Sequence, residues 1–267
     1  LPAMIRTSPQ IPAPLRPVGE FFGKMAFGKN IAISEKLTVI NEALKDSLRV
    51  PQSKAAVIPN GVDIELFGNH SSPQLKRKLG LEQTFVLGYV GVLREWVDLE
   101  PVFFMVRNLE SEGLNIKVLI VGEEGELNKN KALVQRYGIS SEVTFTGSVP
   151  YAQMPEYISC MDVCLLPFKN DAVSQNALPL KLFEYMACEK PVVSTRLKGV
   201  VEAVQDRVLY ASDSEELKKR IMELHRNEKL RTKMGLEGRK FVKDNYSWPR
   251  ICLRLEEVLL EVAKDKR

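Results

Sequence analysis

Residues 85–92 read FVLGYVGV, a nearly continuous apolar run with no alternating polar positions. A strand that is apolar on both faces must be covered on both, as a central strand of a parallel sheet is. Further short runs that read as strands lie at 116–121, 142–146, 162–167, 191–194 and 207–210. Segments of helical period at 98–112, 126–137 and 150–159 separate the first four runs. Strict alternation of this kind predicts an α/β fold built on a doubly wound parallel sheet. Ligands of such sheets bind beyond the carboxyl ends of the strands.

Gly88, Gly91, Gly122, Gly125 and Gly147 lie in or just after these strands, and most fall at that edge. No G-x-G-x-x-G opens a helix after the first strand, which argues against a nicotinamide dinucleotide site. Residues 174–195 read as loop, helix and buried strand. Pro179 is expected in the first turn. Leu180, Leu182, Phe183, Met186 and Ala187 follow at helical spacing until Lys190-Pro191 breaks it. A helix N-terminus beside a parallel strand suits a phosphate. Glu184, a little over one turn in, could reach a pair of sugar hydroxyls. On spacing alone, an ordinary amphipathic helix with a solvated glutamate is the better account. Glu189, past the last turn, is expected to be neutral or slightly destabilising, because a carboxylate there opposes the dipole.

Upstream, five prolines within residues 1–20 predict an irregular, extended segment. A short helix is expected at 20–27, then a strand at 30–34, with Ser34 capping a helix from Glu35 to about Leu48. A strand at 54–58 ends at Pro59-Asn60-Gly61, for which a plain turn is one reading. Residues 74–81 predict a basic helix, and 215–226, 228–244 and 249–264 predict three helices with apolar faces. His70 and His225 are expected at the surface, and Trp96 and Trp248 in packing. A length of 267 residues suits one domain plus part of another, and 45% hydrophobic with 27% charged residues is a soluble composition. The net charge of +4 is compatible with an anionic small ligand or an anionic membrane surface and demands neither. Cys160, Cys164, Cys188 and Cys252 have apolar neighbours and read as buried thiols of a reducing compartment. No metal site is expected. No run reaches the length of a membrane span and no signal peptide is visible. The chain opens at Leu1 without an initiator methionine, so a fragment or a processed chain is expected.

The run PLKLFEYMACEKPVV resembles the donor-binding signature of GT-B glycosyltransferases of the large retaining family 4, also called group 1. The likeness extends over nearly the whole chain. Ala32-Ile33-Ser34 and Val57-Ile58-Pro59-Asn60-Gly61-Val62-Asp63 are similar to the close of that family's acceptor-binding domain. Val121-Gly122-Glu123-Glu124-Gly125 resembles its "VGxG" loop, Phe145-Thr146-Gly147-Ser148-Val149 its "xFxGxV" loop near the nucleobase, and Tyr246-Ser247-Trp248 its "YSW" junction before a crossover helix. The resemblance implies a GT-B fold with a Rossmann-like donor domain at 67–245, a partial N-terminal Rossmann-like domain at 1–66 and a crossover helix at 246–267. It implies that Glu184 holds the ribose. It also assigns donor contacts to Gly91, Gly122, Gly147, Val149, Asn176, Ala177, Leu178, Pro179 and Leu180. Arg94 and Lys181 are the candidate catalytic cations for the diphosphate; each also reads as an ordinary surface residue. The chain departs from the family pattern at several positions, including Glu95-Trp96-Val97, which stands near the place of a usual Lys-Gly. Asn176 stands where a second glutamate is usual, Val92 where an arginine is usual, and Glu189 where a glycine is usual.

The function so implied is transfer of a sugar from a UDP-, GDP- or ADP-linked donor to a glycan or lipid-linked acceptor, with retention and without metal or other cofactor. The implied setting is cytoplasmic, with peripheral membrane contact, if any, through the missing domain; nucleic acid is not an expected partner. The alternative is a nucleotide-sugar-binding or scaffold protein of the same fold without transfer chemistry, favoured by Asn176 and Val92.

Overall fold

A computed structural model of the chain describes residues 11–48 and 50–264. Of the irregular segment expected over 1–20, residues 1–10 lie outside this description. A 3-10 turn at Ala13–Leu15 leads straight into helix α1, Arg16–Ile33. The prolines misled because Pro17 sits in the first turn, where its missing N–H costs nothing. The strand expected at 30–34 is instead the end of α1. Ser34 does not cap a following helix; its hydroxyl donates back to the Asn30 carbonyl at 2.6 Å. Lys54 Nζ donates to the Ile31 and Ala32 carbonyls at 3.1 and 3.0 Å, a cation on the negative end of the helix.

The expected order of strand, cap and helix appears a few residues later. Strand β1, Leu37–Val39, precedes helix α2, Glu42–Leu48, and pairs in parallel with β2, Ala55–Val57. Asn41 is the cap: its side-chain oxygen accepts the Leu44 N–H at 2.7 Å. Gly61 permits a close approach rather than merely a turn. A β-carbon there would lie 2.6 Å from Trp248 Cδ2. Val62 exchanges backbone hydrogen bonds with the chain around Ser247, donating to Tyr246 at 2.8 Å and accepting from Trp248 at 3.2 Å.

The remaining elements alternate. Helix α3 (Pro73–Lys78) precedes β3 (Phe85–Val90), α4 (Glu100–Ser111), β4 (Ile116–Val121), α5 (Leu127–Tyr137) and β5 (Val143–Phe145). Then come α6 (Met154–Ser159), β6 (Val163–Leu166), α7 (Leu180–Ala187), β7 (Val192–Thr195), α8 (Lys198–Val204) and β8 (Leu209–Ala211). Helices α9 (Ser214–Arg226), α10 (Glu228–Tyr246) and α11 (Trp248–Lys264) close the chain. All six strands pair in parallel in the order β5-β4-β3-β6-β7-β8, the doubly wound arrangement. Every residue of β3 is buried, as its unbroken apolar run requires. Helix α8 has no counterpart in the sequence reading, yet neighbouring parallel strands cannot be joined without a crossover. The chain leaves β3 toward one edge, returns, and resumes at β6, so the switch point lies between β3 and β6.

Helix α7 is not amphipathic in place. Leu182, Phe183, Glu184, Tyr185, Met186 and Ala187 are all buried, with the sheet on one side and α10 on the other. Pro179 is its extended N-cap residue rather than part of its first turn. Of the four cysteines, Cys252 is exposed, because it lies on the outer side of α11. Trp248 is 47% exposed although it covers Gly61, and Trp96 packs partly buried against the core. His70 is exposed, whereas the His225 ring sits edge-on against Phe85 with its Nδ1 enclosed.

Glu189 adopts a left-handed backbone (φ 57°), which explains why glycine suits this position. Its carboxylate is held there by Asn69 Nδ2 at 2.8 Å and lies 3.7 Å from Arg239 Nε. It is therefore tied down rather than solvated, and the expected sign of its contribution reverses. Glu189→Ala should destabilise by about 0.5–1.5 kcal/mol through the lost hydrogen bond. Glu189→Gly, which also relieves the left-handed backbone, should fall between alanine and wild type. Urea midpoints of the three proteins test that order.

Candidate functional site

Three loops meet at the carboxyl edge of the sheet because glycine lets them. Gly91 (φ 122°) follows β3 and donates to the Val121 carbonyl at 2.7 Å; Gly122 (φ 143°) follows β4 and donates to the Gly147 carbonyl at 3.0 Å. A β-carbon on Gly122 would stand 2.4 Å from the Gly91 carbonyl oxygen, so the loops could not nest with a side chain there. The space beside Gly91 is taken by another group: Lys181 Nζ lies 2.6 Å from where its β-carbon would be.

Lys181 enters from the first turn of α7. Its ammonium donates to Tyr89 Oη at 2.7 Å and stands 4.1 Å from the Tyr89 ring centroid and 5.8 Å from that of Phe168. The Tyr89 hydroxyl donates onward to the Val92 carbonyl at 3.1 Å. Burial lowers the Lys181 pKa to about 7, with Glu184 pulling in the other direction. Burial also pushes the Tyr89 hydroxyl well above its ordinary range.

Glu184 is 7% exposed, and its Oε1 accepts the Tyr151 hydroxyl at 2.9 Å. Desolvation raises its pKa, while the Tyr151 hydrogen bond and Lys181 hold it down. Tyr185, its neighbour in sequence, accepts the Val90 N–H at 2.7 Å and so fixes the rotation of α7 against the end of β3. Tyr151 follows the Gly147–Val149 loop, and its ring meets Phe67 edge-on at 5.4 Å.

The segment entering α7 is wound on Asp171, whose Oδ1 accepts the Val173 and Ser174 amides at 3.0 and 2.8 Å. The Asn176 carbonyl is bonded from outside, by Asn41 Nδ2 at 3.0 Å. Asn176, Ala177, Pro179 and Leu180 are half-buried and Leu178 is buried. Val149 is half-buried against the core. Arg94 is exposed on the loop after β3, and its guanidinium has no hydrogen-bond partner among the described residues. The structure thus gathers Gly91, Lys181 and Glu184 around one face of α7 and joins Gly122 to Gly147, while the exposed Arg94 guanidinium bonds to none of them.

Sequence reasoning missed Tyr89, Tyr151, Tyr185 and Asn41. Their only signal was a polar group on an aromatic or a cap in a stretch otherwise apolar. A cavity of about 140 Å³ opens at the ends of β6, β7 and β8, lined by Asp98, Phe168, Ser194 and Asp213 among others. Neither Lys181 nor Glu184 lines it, so the charged cluster, not this cavity, carries the functional argument. Among the described residues no group of three or more His, Cys, Asp or Glu could hold a metal ion, and no helix is long and apolar enough to cross a membrane.

Residues 71–241 match the family model described as glycosyl transferases group 1. Over 158 residues the chain is 27% identical to Bacillus subtilis TuaH, named as a glycosyltransferase of teichuronic acid biosynthesis, covering 59% of this chain and 38% of that protein. Over 242 residues it is 23% identical to N-acetyl-alpha-D-glucosaminyl L-malate synthase of Bacillus anthracis, covering 88% and 61%. Over 217 residues it is 23% identical to a GDP-mannose-dependent phosphatidylinositol monomannoside mannosyltransferase of Mycolicibacterium smegmatis, covering 78% and 57%. The chain therefore spans less than two thirds of the length of these relatives.

Among solved structures, Anabaena HepE in complex with UDP-glucose superposes with a TM-score of 0.79 at 18% identity, over 89% of this chain and 67% of that one. Sucrose-phosphate synthase of Thermosynechococcus elongatus gives 0.76 at 21% identity, over 91% and 62%. At such identities the likeness is one of fold, and the fold is GT-B. With the family model matching most of its length, the chain belongs to the glycosyl transferases group 1 family.

Proposed function

We propose that the chain is the donor-binding part of a retaining, metal-independent glycosyltransferase that takes a nucleoside-diphosphate sugar. The observation that carries this reading is Lys181, an ammonium buried against aromatic rings with no carboxylate at ion-pair distance among the described residues. A buried cation is costly unless a counter-charge reaches it. A diphosphate at the start of α7 would meet that ammonium and the unpaired amides of the first turn together. As the donor breaks, negative charge grows on the departing diphosphate, and groups already aimed at it stabilise the transition state without reorganising. Glu184 would accept the ribose hydroxyls, Arg94 would supply a second cation, and Asn176, Ala177, Leu178, Pro179 and Leu180 would line the sugar and phosphates. The Gly147–Val149 backbone would face the base.

The complex of HepE with UDP-glucose supports a nucleotide-sugar partner, and the name of the mycobacterial relative supports a GDP-linked donor as another candidate. Relatives named for a polysaccharide and for a lipid substrate support a glycan or lipid-linked acceptor. The proposed setting is the cytoplasm, at the membrane face where the acceptor is lipid-linked. A binding protein without transfer chemistry is the second reading, favoured by the uncharged Asn176 beside the expected sugar position.

Calorimetry of the chain with UDP, GDP and ADP in the presence of a chelator tests the proposal. One of them should bind, and the chain alone should transfer no sugar; absence of binding to all three would sink it. Glu184→Ala should weaken that binding by roughly ten- to a hundredfold, the value of a charge-assisted hydrogen bond. Its stability at neutral pH should hold or rise. The raised carboxyl pKa means ionised Glu184 costs stability as pH climbs beyond the ordinary carboxylate value.

Lys181 predicts a proton signature. Its folded-state value near 7 lies below the unfolded one, so protonation costs stability fully below about pH 7 and not above the ordinary lysine range. At pH 8 the free protein should hold Lys181 largely neutral, and a diphosphate should draw a proton onto it. Binding heats measured in buffers of different ionisation enthalpy should therefore show net proton uptake. Lys181→Met should abolish the uptake and weaken binding.

A further inference from the structure

We propose that Tyr151 is a positioning residue that sets the rotation of the Glu184 carboxylate, and with it the preference for a nucleotide carrying an intact ribose diol. The inference rests on the reading of Glu184 as the ribose ligand. Glu184 lies on a helix buried all round, and the Tyr151 hydroxyl is the one side-chain donor to its carboxylate among the described residues. A carboxyl group turns easily about its last torsion, and nothing else here would hold it. With Oε1 taking the phenol at 2.9 Å, Oε2 and the second lone pair of Oε1 keep a fixed direction. Two adjacent hydroxyls can meet a carboxylate held in that way; a freely turning one would have to be ordered on binding.

The phenol is itself firmly placed. Tyr151 opens a 3-10 turn after Pro150, closed by the Gln153 amide on the Pro150 carbonyl at 2.9 Å. Its ring lies edge-on against the fully buried Phe67, whose carbonyl accepts Arg239 Nη1 at 2.9 Å. Yet 53% of Tyr151 remains exposed, so the hydroxyl can be removed without opening a cavity in the core. Nothing in the hydrophobic packing requires a polar atom at that ring's tip.

The titratable neighbours of the carboxylate are few. Lys181 and Tyr185 share its helix, Cys188 follows its last turn, Tyr151 faces it from the 3-10 turn, and Asp63 faces Tyr151 from the segment after Val62. A hydrogen bond donated to a carboxylate favours the ionised form. Losing the phenol should therefore make Glu184 harder to ionise, whereas a purely structural tyrosine would leave its titration alone.

The test compares wild type, Tyr151→Phe and Glu184→Gln by calorimetry, using UDP, GDP and their 2′,3′-dideoxy counterparts between pH 5 and 8. Tyr151→Phe should bind the ribose nucleotide about three- to tenfold more weakly, bind the dideoxy compound as wild type does, and lose affinity at a higher pH on the acid side. Its melting temperature at neutral pH should fall only slightly, by the loss of one hydrogen bond to an ionised carboxylate. Equal losses for both nucleotides, or an unmoved acid limb, would overturn the positioning role. Should Glu184→Gln discriminate ribose from dideoxyribose as well as wild type does, the ribose reading of Glu184 fails and takes the Tyr151 proposal with it. Full discrimination by Tyr151→Phe alongside lost discrimination by Glu184→Gln would overturn only the role of Tyr151.

Discussion

Helix α7 is pressed between the sheet and α10, and the chemistry of this sheet edge depends on that packing. On a surface helix Lys181 and Glu184 would be hydrated and would titrate normally. Here burial makes the cation easier to neutralise and the carboxyl harder to ionise, so each stands to gain from a ligand. The bond from the Val90 amide to the Tyr185 hydroxyl fixes which way the helix faces. It does so at the end of β3, a strand buried throughout, so the orientation of the charged pair is inherited from the centre of the core.

The backbone around the pair is arranged by close approach. Gly91, Gly122 and Gly147 let three strand ends lie together, and the space left by the absent Gly91 side chain is occupied by the lysine ammonium. The strand edge and the helix are thus one assembly: a side chain at Gly91 would displace Lys181, and one at Gly122 would separate the loops.

The N-terminal elements are less self-sufficient. A two-stranded parallel pair is marginal by itself, and α1 buries none of its residues. They join the larger sheet by packing of α2 against α8 and of Ile40 and Val62 on the core, together with a small set of polar contacts. Asn41 caps α2 and also holds the Asn176 carbonyl, Val62 pairs with the backbone around Ser247, and Lys36 reaches Glu261 on α11 at 3.0 Å. Asn41 thereby ties the segment leading into α7 to a different structural unit. Arg239 ties the segment around Phe67 to the far end of the same helix, through the Phe67 and Ala187 carbonyls.

The sequence by itself determined the alternation of strands and helices, the buried strand at 85–92 and the sheet edge at which a ligand would sit. These follow from the period of apolar residues and from glycines at strand ends, which are local properties of the chain. It misplaced the early elements because Ile31, Ile33 and Ser34 suit a strand and a cap as well as the end of a helix. The deciding partner, Lys54, lies 23 residues from Ile31. It identified Glu184 and Lys181 only through a family likeness, since spacing alone favoured a solvated helix. Tertiary structure decided that this helix is buried on all sides, which no local pattern could distinguish from a half-exposed one. It also decided the partners: Tyr151 for Glu184 across 33 residues, Tyr89 for Lys181 across 92 and Asn41 for Asn176 across 135. Contacts between residues so far apart in sequence exist only once the sheet and its helices have assembled, because nothing local brings those atoms together.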